Sequence, residues 1–160
     1  MATISVGSGN YMRPYRNVRL RSFKEGASQT FVVGDVLALS TTANEGDEVK
    51  VAGADPSVIV GVAAEAASGT QGTKISVWLA TADAEFMAHC EDAAAIDDDD
   101  LGNGYGIVKD STNVIWRVDR SETTNKCVTV TELLDTHGDV NGRLVFTFQA
   151  AERVPYTDAS

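Results

Sequence analysis

Beyond residue 30 the chain alternates between short runs of branched apolar residues and clusters of turn formers. Residues 31–40 (FVVGDVLALS), 48–52 (EVKVA) and 57–64 (SVIVGVAA) each suit one strand, and Ala54-Asp55-Pro56 is turn chemistry between the last two. Gly34-Asp35 marks a bulge or a close approach within the first run. Residues 74–81 alternate strictly, with Ile75, Val77 and Leu79 on one face and Lys74, Ser76 and Trp78 on the other. Residues 105–109 and 113–119 read as a hairpin across Asp110-Ser111-Thr112. Residues 126–133 and 143–150 form another pair, with Leu144, Phe146 and Phe148 on the buried face. Residues 82–96 are ambiguous, because Ala-rich composition favours helix while Phe86, Ala88 and Cys90 alternate like a strand. A strand to about His89, then one or two helical turns over 91–96, is the expectation there. The use of 19 Val and 15 Thr against 8 Leu supports the β reading. The pattern predicts an all-β fold: a small barrel or sandwich of about eight short strands with at most one or two short helices. A parallel sheet with crossover helices needs a longer chain than these 160 residues.

Charge divides the chain at its N-terminal end. The first 25 residues hold five basic side chains and one acid, net +4, against −14 for the remainder and −10 overall. Residues 1–29 therefore read as an extended basic arm and 30–160 as the β domain. Gly7, Gly9 and Pro14 argue against a continuous helix in the arm. Arg13, Arg16, Arg19 and Arg21 carry planar donor forks that suit carboxylates, and Tyr11 and Tyr15 are amphipathic anchors. The leader is expected to dock on an acidic surface, belonging to a neighbour, to a partner or to its own body. An acidic body makes a dedicated nucleic-acid grip unexpected. No run of about 18 apolar residues predicts a membrane span, and no apolar stretch near the start predicts a secretory peptide.

Candidate chemistry is sparse. Eight acids and no base lie between Asp83 and Asp100, ending in Asp97-Asp98-Asp99-Asp100. These oxygens would suit calcium, but the alternating ligand spacing of a calcium loop is missing, so a solvated acidic loop is the simpler expectation and no metal is assigned. Gly102-Asn103-Gly104-Tyr105-Gly106 lacks the strand–loop–helix setting and the lysine of a phosphate cradle. His89 and His137 fall in no motif, and Cys90 and Cys127 have no metal spacing and read as buried reduced thiols. A set joining His137 to a cysteine would have to assemble in space. No enzyme activity and no cofactor are expected.

The run from Phe31 to Leu39, then Val49-Lys50-Val51-Ala52, then Ile59-Val60-Gly61-Val62-Ala63, resembles the capsid cement, or head decoration, proteins of tailed bacteriophages. Residues 73–88 (TKISVWLATADAEFMA) look like the continuation of the same pattern, so the likeness covers roughly residues 30–110. It implies a non-enzymatic virion protein on the outer capsid surface, a homotrimer or a dimer, whose partner is the major capsid protein. It further implies an N-terminal arm that adds a strand to a capsid sheet, which suits the alternating Ala2-Thr3-Ile4-Ser5-Val6. The expected capsid-binding residues are Ile4, Val6, Tyr11, Arg13, Tyr15, Arg16, Arg19 and Arg21. Two other readings stay open. One is a surface adhesion or glycan-binding module in which Trp78 and Trp116 stack on sugars; the other is a tail-tube or baseplate component.

Overall fold

A computed structural model describes residues 11–40, 48–91, 95–111 and 114–154. The described chain is all-β. It has eleven strands: β1 (Arg13–Arg16), β2 (Leu20–Glu25), β3 (Val36–Leu39), β4 (Glu48–Val51), β5 (Ile59–Ala63), β6 (Lys74–Leu79), β7 (Glu85–His89), β8 (Gly104–Asp110), β9 (Ile115–Asp119), β10 (Val128–Leu133) and β11 (Arg143–Phe148). Strands β2, β4, β3, β5 and β6 close into a five-stranded barrel, and the others form a sheet in the order β1-β7-β11-β10-β8-β9. The sheet curls until Cys90, just past β7, bridges to Val118 on β9.

Two hydrophobic clusters follow from this arrangement. The barrel interior holds Phe23, Phe31, Leu37, Val49, Val60, Ile75, Val77 and Leu79. The larger cluster lies between barrel and sheet, where Val36, Ala38, Ile59 and Val62 meet Phe86, Leu144, Phe146 and Phe148. Strands β3 and β5 therefore face apolar surroundings on both sides, which explains the unbroken apolar run Ile59-Val60-Gly61-Val62-Ala63. Gly61 is required there. A Cβ on it would stand 1.9 Å from the Trp78 carbonyl oxygen on β6.

The strand regions expected beyond residue 30 are found, including one through His89. The helix expected over 91–96 is not supported: Ala95 instead makes a β-bridge with Val140, and 92–94 lie outside the described residues. A single 3-10 turn, Asp98–Asp100, follows. Asp97 caps it through its side chain, which accepts from Asp99 N–H, because a short acceptor placed before a turn satisfies donors the turn leaves open.

The larger correction concerns the arm. Its described part is not an extended thread: β1 pairs antiparallel with β7, and β2 is a wall of the barrel, antiparallel to β6 and parallel to β4. Met12 is fully buried in the shared core. The boundary at residue 29 thus cuts through the barrel. The reason is that Met12 and Phe23 supply apolar side chains the core needs, a demand that the charge count along the sequence does not register.

Candidate functional site

The residues singled out for docking divide into three groups. Ile4 and Val6 lie outside the described residues. Tyr11, Arg13, Tyr15 and Arg16 line the sheet edge at β1. Arg19 and Arg21 flank the start of β2, both exposed.

The turn at 33–34 is locked by Gly34, whose φ of +94° favours glycine. The Tyr11 Cβ lies only 2.7 Å from where a Cβ on Gly34 would stand, so the tyrosine packs directly on backbone. Arg13 Nε donates to Met87 Sδ at 3.3 Å. Arg16 pairs with Glu85 at 3.1 Å and with Glu132, and its guanidinium lies 4.8 Å above the Tyr15 ring. The Tyr15 contact and the two carboxylates raise the Arg16 pKa above its ordinary value. These two arginines are therefore engaged with their own body, one of the acidic surfaces expected for the leader. Pro14 stands on the outer edge strand, where it withholds one donor from any incoming strand.

A second constellation joins barrel to sheet. Asp35, at the mouth of β3, is 2% exposed. Its Oδ1 accepts from Trp116 Nε1 at 3.1 Å and meets Lys109 Nζ at 2.9 Å, while Oδ2 accepts from Val32 N–H at 2.9 Å. One carboxylate thus ties β3 to β8 and β9. Behind it, the buried Arg117 meets Asp110 at 2.9 Å and donates to the Cys90 carbonyl and to Asn141 Oδ1. Gly34-Asp35 reads in the sequence as a bulge or a close approach, and the close approach is that of Tyr11 to Gly34, but the cross-tie through Asp35 is not legible there. The available signal was an acid placed immediately before an apolar strand, where a carboxylate needs a buried partner.

Beside this tie lies a cleft of about 290 Å³ between the 52–55 turn of the barrel and strands β8 and β9. Ala52, Ile107, Val108 and Trp116 give it apolar walls, and Asp55, Asp119 and Glu122 stand at its rim. A polar cavity of about 340 Å³ adjoins it, shares Asp55 and is lined by Lys126, Gln149 and Glu152.

The remaining candidates are absorbed into the framework. Asp100 is buried, accepting from Tyr105 Oη at 2.7 Å and pairing with Arg120 at 2.8 Å, so the aspartate run is an anchored turn. Burial pushes both the Cys90 and Cys127 thiols up to about 12, and both are free and buried, which leaves neither in the thiolate form a nucleophile requires. His137 sits at the acidic turn, 3.5 Å from Asp97. His89 Nδ1 lies 2.7 Å from the Asn141 carbonyl. Trp116 is buried with its N–H on Asp35, and Trp78 is half-buried against the shared core, so neither presents the open ring that sugar stacking needs. Compared with protein families, with curated proteins and with solved structures, the chain finds no match in any of the three.

Proposed function

We propose that this chain is a capsid cement protein of a tailed bacteriophage, a non-enzymatic bead that binds the outer shell and bridges neighbouring subunits of the major capsid protein. The observation that carries the reading is mechanical. The first two described residues are anchored: Tyr11 is wedged on Gly34, and Met12 is fully buried in a core shared by both β units. Tension applied through the ten residues before Tyr11 therefore passes into β1, its ladder with β7 and the whole core. A tether attached to a mobile loop would yield instead.

Residues 2–6, with Ile4 and Val6 on one face of an alternating segment, would supply the strand that joins a capsid sheet. Arg19 and Arg21, both on the exposed surface at the start of β2, would add cationic charge beside it. Arg13 and Arg16 drop out of the grip. Several copies acting together, as in the homotrimer or dimer the resemblance implies, raise the effective concentration of each weak contact. The acidic outer body keeps shells apart in solution.

The test is deletion of residues 1–10, which leaves both N-terminal strands in place; a longer truncation through residue 25 would remove β1 and β2 and unfold the barrel. The full chain should co-sediment with undecorated phage capsids and raise their resistance to heat, and the deletion should lower occupancy about tenfold or more while its circular dichroism is unchanged. Failure of the full chain to bind shells, or full occupancy by the truncated one, refutes the reading.

A further inference from the structure

We propose that the cleft between barrel and curled sheet receives an arginine side chain of a partner polypeptide, whose main chain crosses the adjoining polar cavity. At about 290 Å³ the cleft lies at the bottom of the size range of small-molecule sites, roughly 300–1,000 Å³. It therefore suits one long side chain better than a large ligand. Its floor is apolar at Ala52, Val108 and Trp116, and its rim is acidic at Asp55, Asp119 and Glu122. Lys109 also lines it, but that ammonium lies 2.9 Å from Asp35 and is neutralised there, so the rim acids set the sign of the cleft. Arginine matches this order, with an apolar stem for the floor and a cationic head for the rim. Its planar fork has donors for two carboxylates at once, and it is more weakly hydrated than the ammonium of lysine.

The rim is fixed before any ligand arrives. Glu122 N–H donates to the Asp119 carbonyl at 3.2 Å, closing a turn that brings both acids to the cleft. Glu122 Oε1 accepts from the N–H groups of Thr124 at 2.7 Å and Asn125 at 2.9 Å, which also hold its carboxyl below the usual range. The Glu122 stem lies over Gly106, with Cγ only 2.5 Å from where a Cβ on that glycine would stand. Asp119 Oδ1 accepts from Ser121 N–H at 3.0 Å and from its hydroxyl at 2.5 Å. Side chains already ordered lose little freedom on binding. The polar cavity of about 340 Å³ meets the cleft at Asp55 and presents the amides of Asn125 and Gln149 and the Thr124 hydroxyl. Gln149 is held in place by donating to the Val128 carbonyl and Thr129 Oγ1, each at 3.2 Å. Amides and hydroxyls are the partners that peptide N–H and C=O groups require, and Lys126 and Glu152 in the same cavity cancel in net charge. That pairing of an acidic, apolar slot with a polar shelf is what favours a polypeptide over a free organic cation.

The site needs no shell, so its test is independent of the capsid experiment above. The isotope-labelled full chain is titrated with the peptide acetyl-Gly-Arg-Gly-amide, and NMR follows the Trp116 indole N–H, at the cleft, and the Thr124 and Asn125 amides, at the cavity. Saturable shifts confined to these two places are expected, and none with the same peptide carrying glutamate for arginine. Asp119→Asn/Glu122→Gln should weaken binding about tenfold or more, the loss expected when charge-assisted hydrogen bonds go. Val108→Trp, at an exposed strand position, fills the cleft and should abolish binding with unchanged circular dichroism. Methylguanidine, which brings the cationic head without a main chain, should bind at least about tenfold more weakly than the peptide. No saturable shift at Trp116, equal binding of the glutamate peptide, or wild-type affinity in a folded rim or V108W variant overturns the proposal. Methylguanidine binding as tightly as the peptide overturns the assignment of a polypeptide partner.

Discussion

In the curled sheet the buried ionic side chains Arg117 and Asp100 face opposite charges, Asp110 and Arg120 respectively. The barrel handles its acids differently: Glu25 accepts from Ser68 N–H, and Glu48 accepts from the Gln71 amide. Asp35 is the barrel carboxylate that crosses to the other unit for its cation, Lys109. The packing differs in the same sense. Phe86, Phe146 and Phe148 form an aromatic trio in the sheet, with centroids 5.3–6.4 Å apart. The barrel interior is mostly aliphatic. The barrel is the less self-sufficient part. Two of its strands are finished only when the sheet covers their outer faces, and one of its buried charges is neutralised only from across the seam.

The harshest test of that asymmetry is Gly61→Ala. The new methyl would collide with the Trp78 backbone in a strand that serves both cores, so a loss of more than about 4 kcal/mol, seen as failure to melt cooperatively, is expected. Next comes Phe146→Ala, which empties the aromatic trio on the sheet side; about 4 kcal/mol of lost stability in urea unfolding is expected. Unfolding of the two units in separate steps in this variant would show that the shared core does not unify them. Asp35→Ala cuts the tie from the barrel side. Because Lys109 retains some access to water, about 3 kcal/mol is expected, roughly 6–12 °C in melting temperature.

The smallest effect concerns pH. Burial, helped by Arg117 and Arg143, lowers the His89 pKa below its ordinary 6.5. Between the two values the unfolded chain binds more protons than the folded one, so stability falls as pH drops below about 6.5. His89→Gln should flatten that part of the stability–pH curve in chemical denaturation, leaving the carboxylate-driven loss at lower pH. There Asp135, whose pKa is lowered by its two-pronged pairing with Arg143 at 2.7 and 3.0 Å, begins to take up its proton.

The strands were legible in the sequence wherever one face meets a core and the other meets water. Residues 74–79 alternate in burial as they alternate in polarity. Strands buried on both sides, such as β5, show their length but not their two partners, since periodicity carries no signal there. The N-terminal strands were obscured for another reason. In β2 the inward residues are Phe23 and Glu25, and a buried glutamate does not read as core. The basic charges around them read as docking residues instead, although Arg13 and Arg16 lie against Met87 and Glu85 on β7. The Asp35 tie depends on pairing over a comparable separation, and a single sequence does not encode it locally.

The placement of β1 has a consequence for how the chain is made. Arg13 lies against Met87, 74 positions later. At about 5–20 residues per second a ribosome takes roughly 4–15 s to cover that distance. Throughout that interval β1 has been synthesised but its template β7 has not, and for most of it the barrel still lacks β6. Pairing therefore cannot start from β1: its seat exists only once β7 has been made, by which point all five barrel strands are already available.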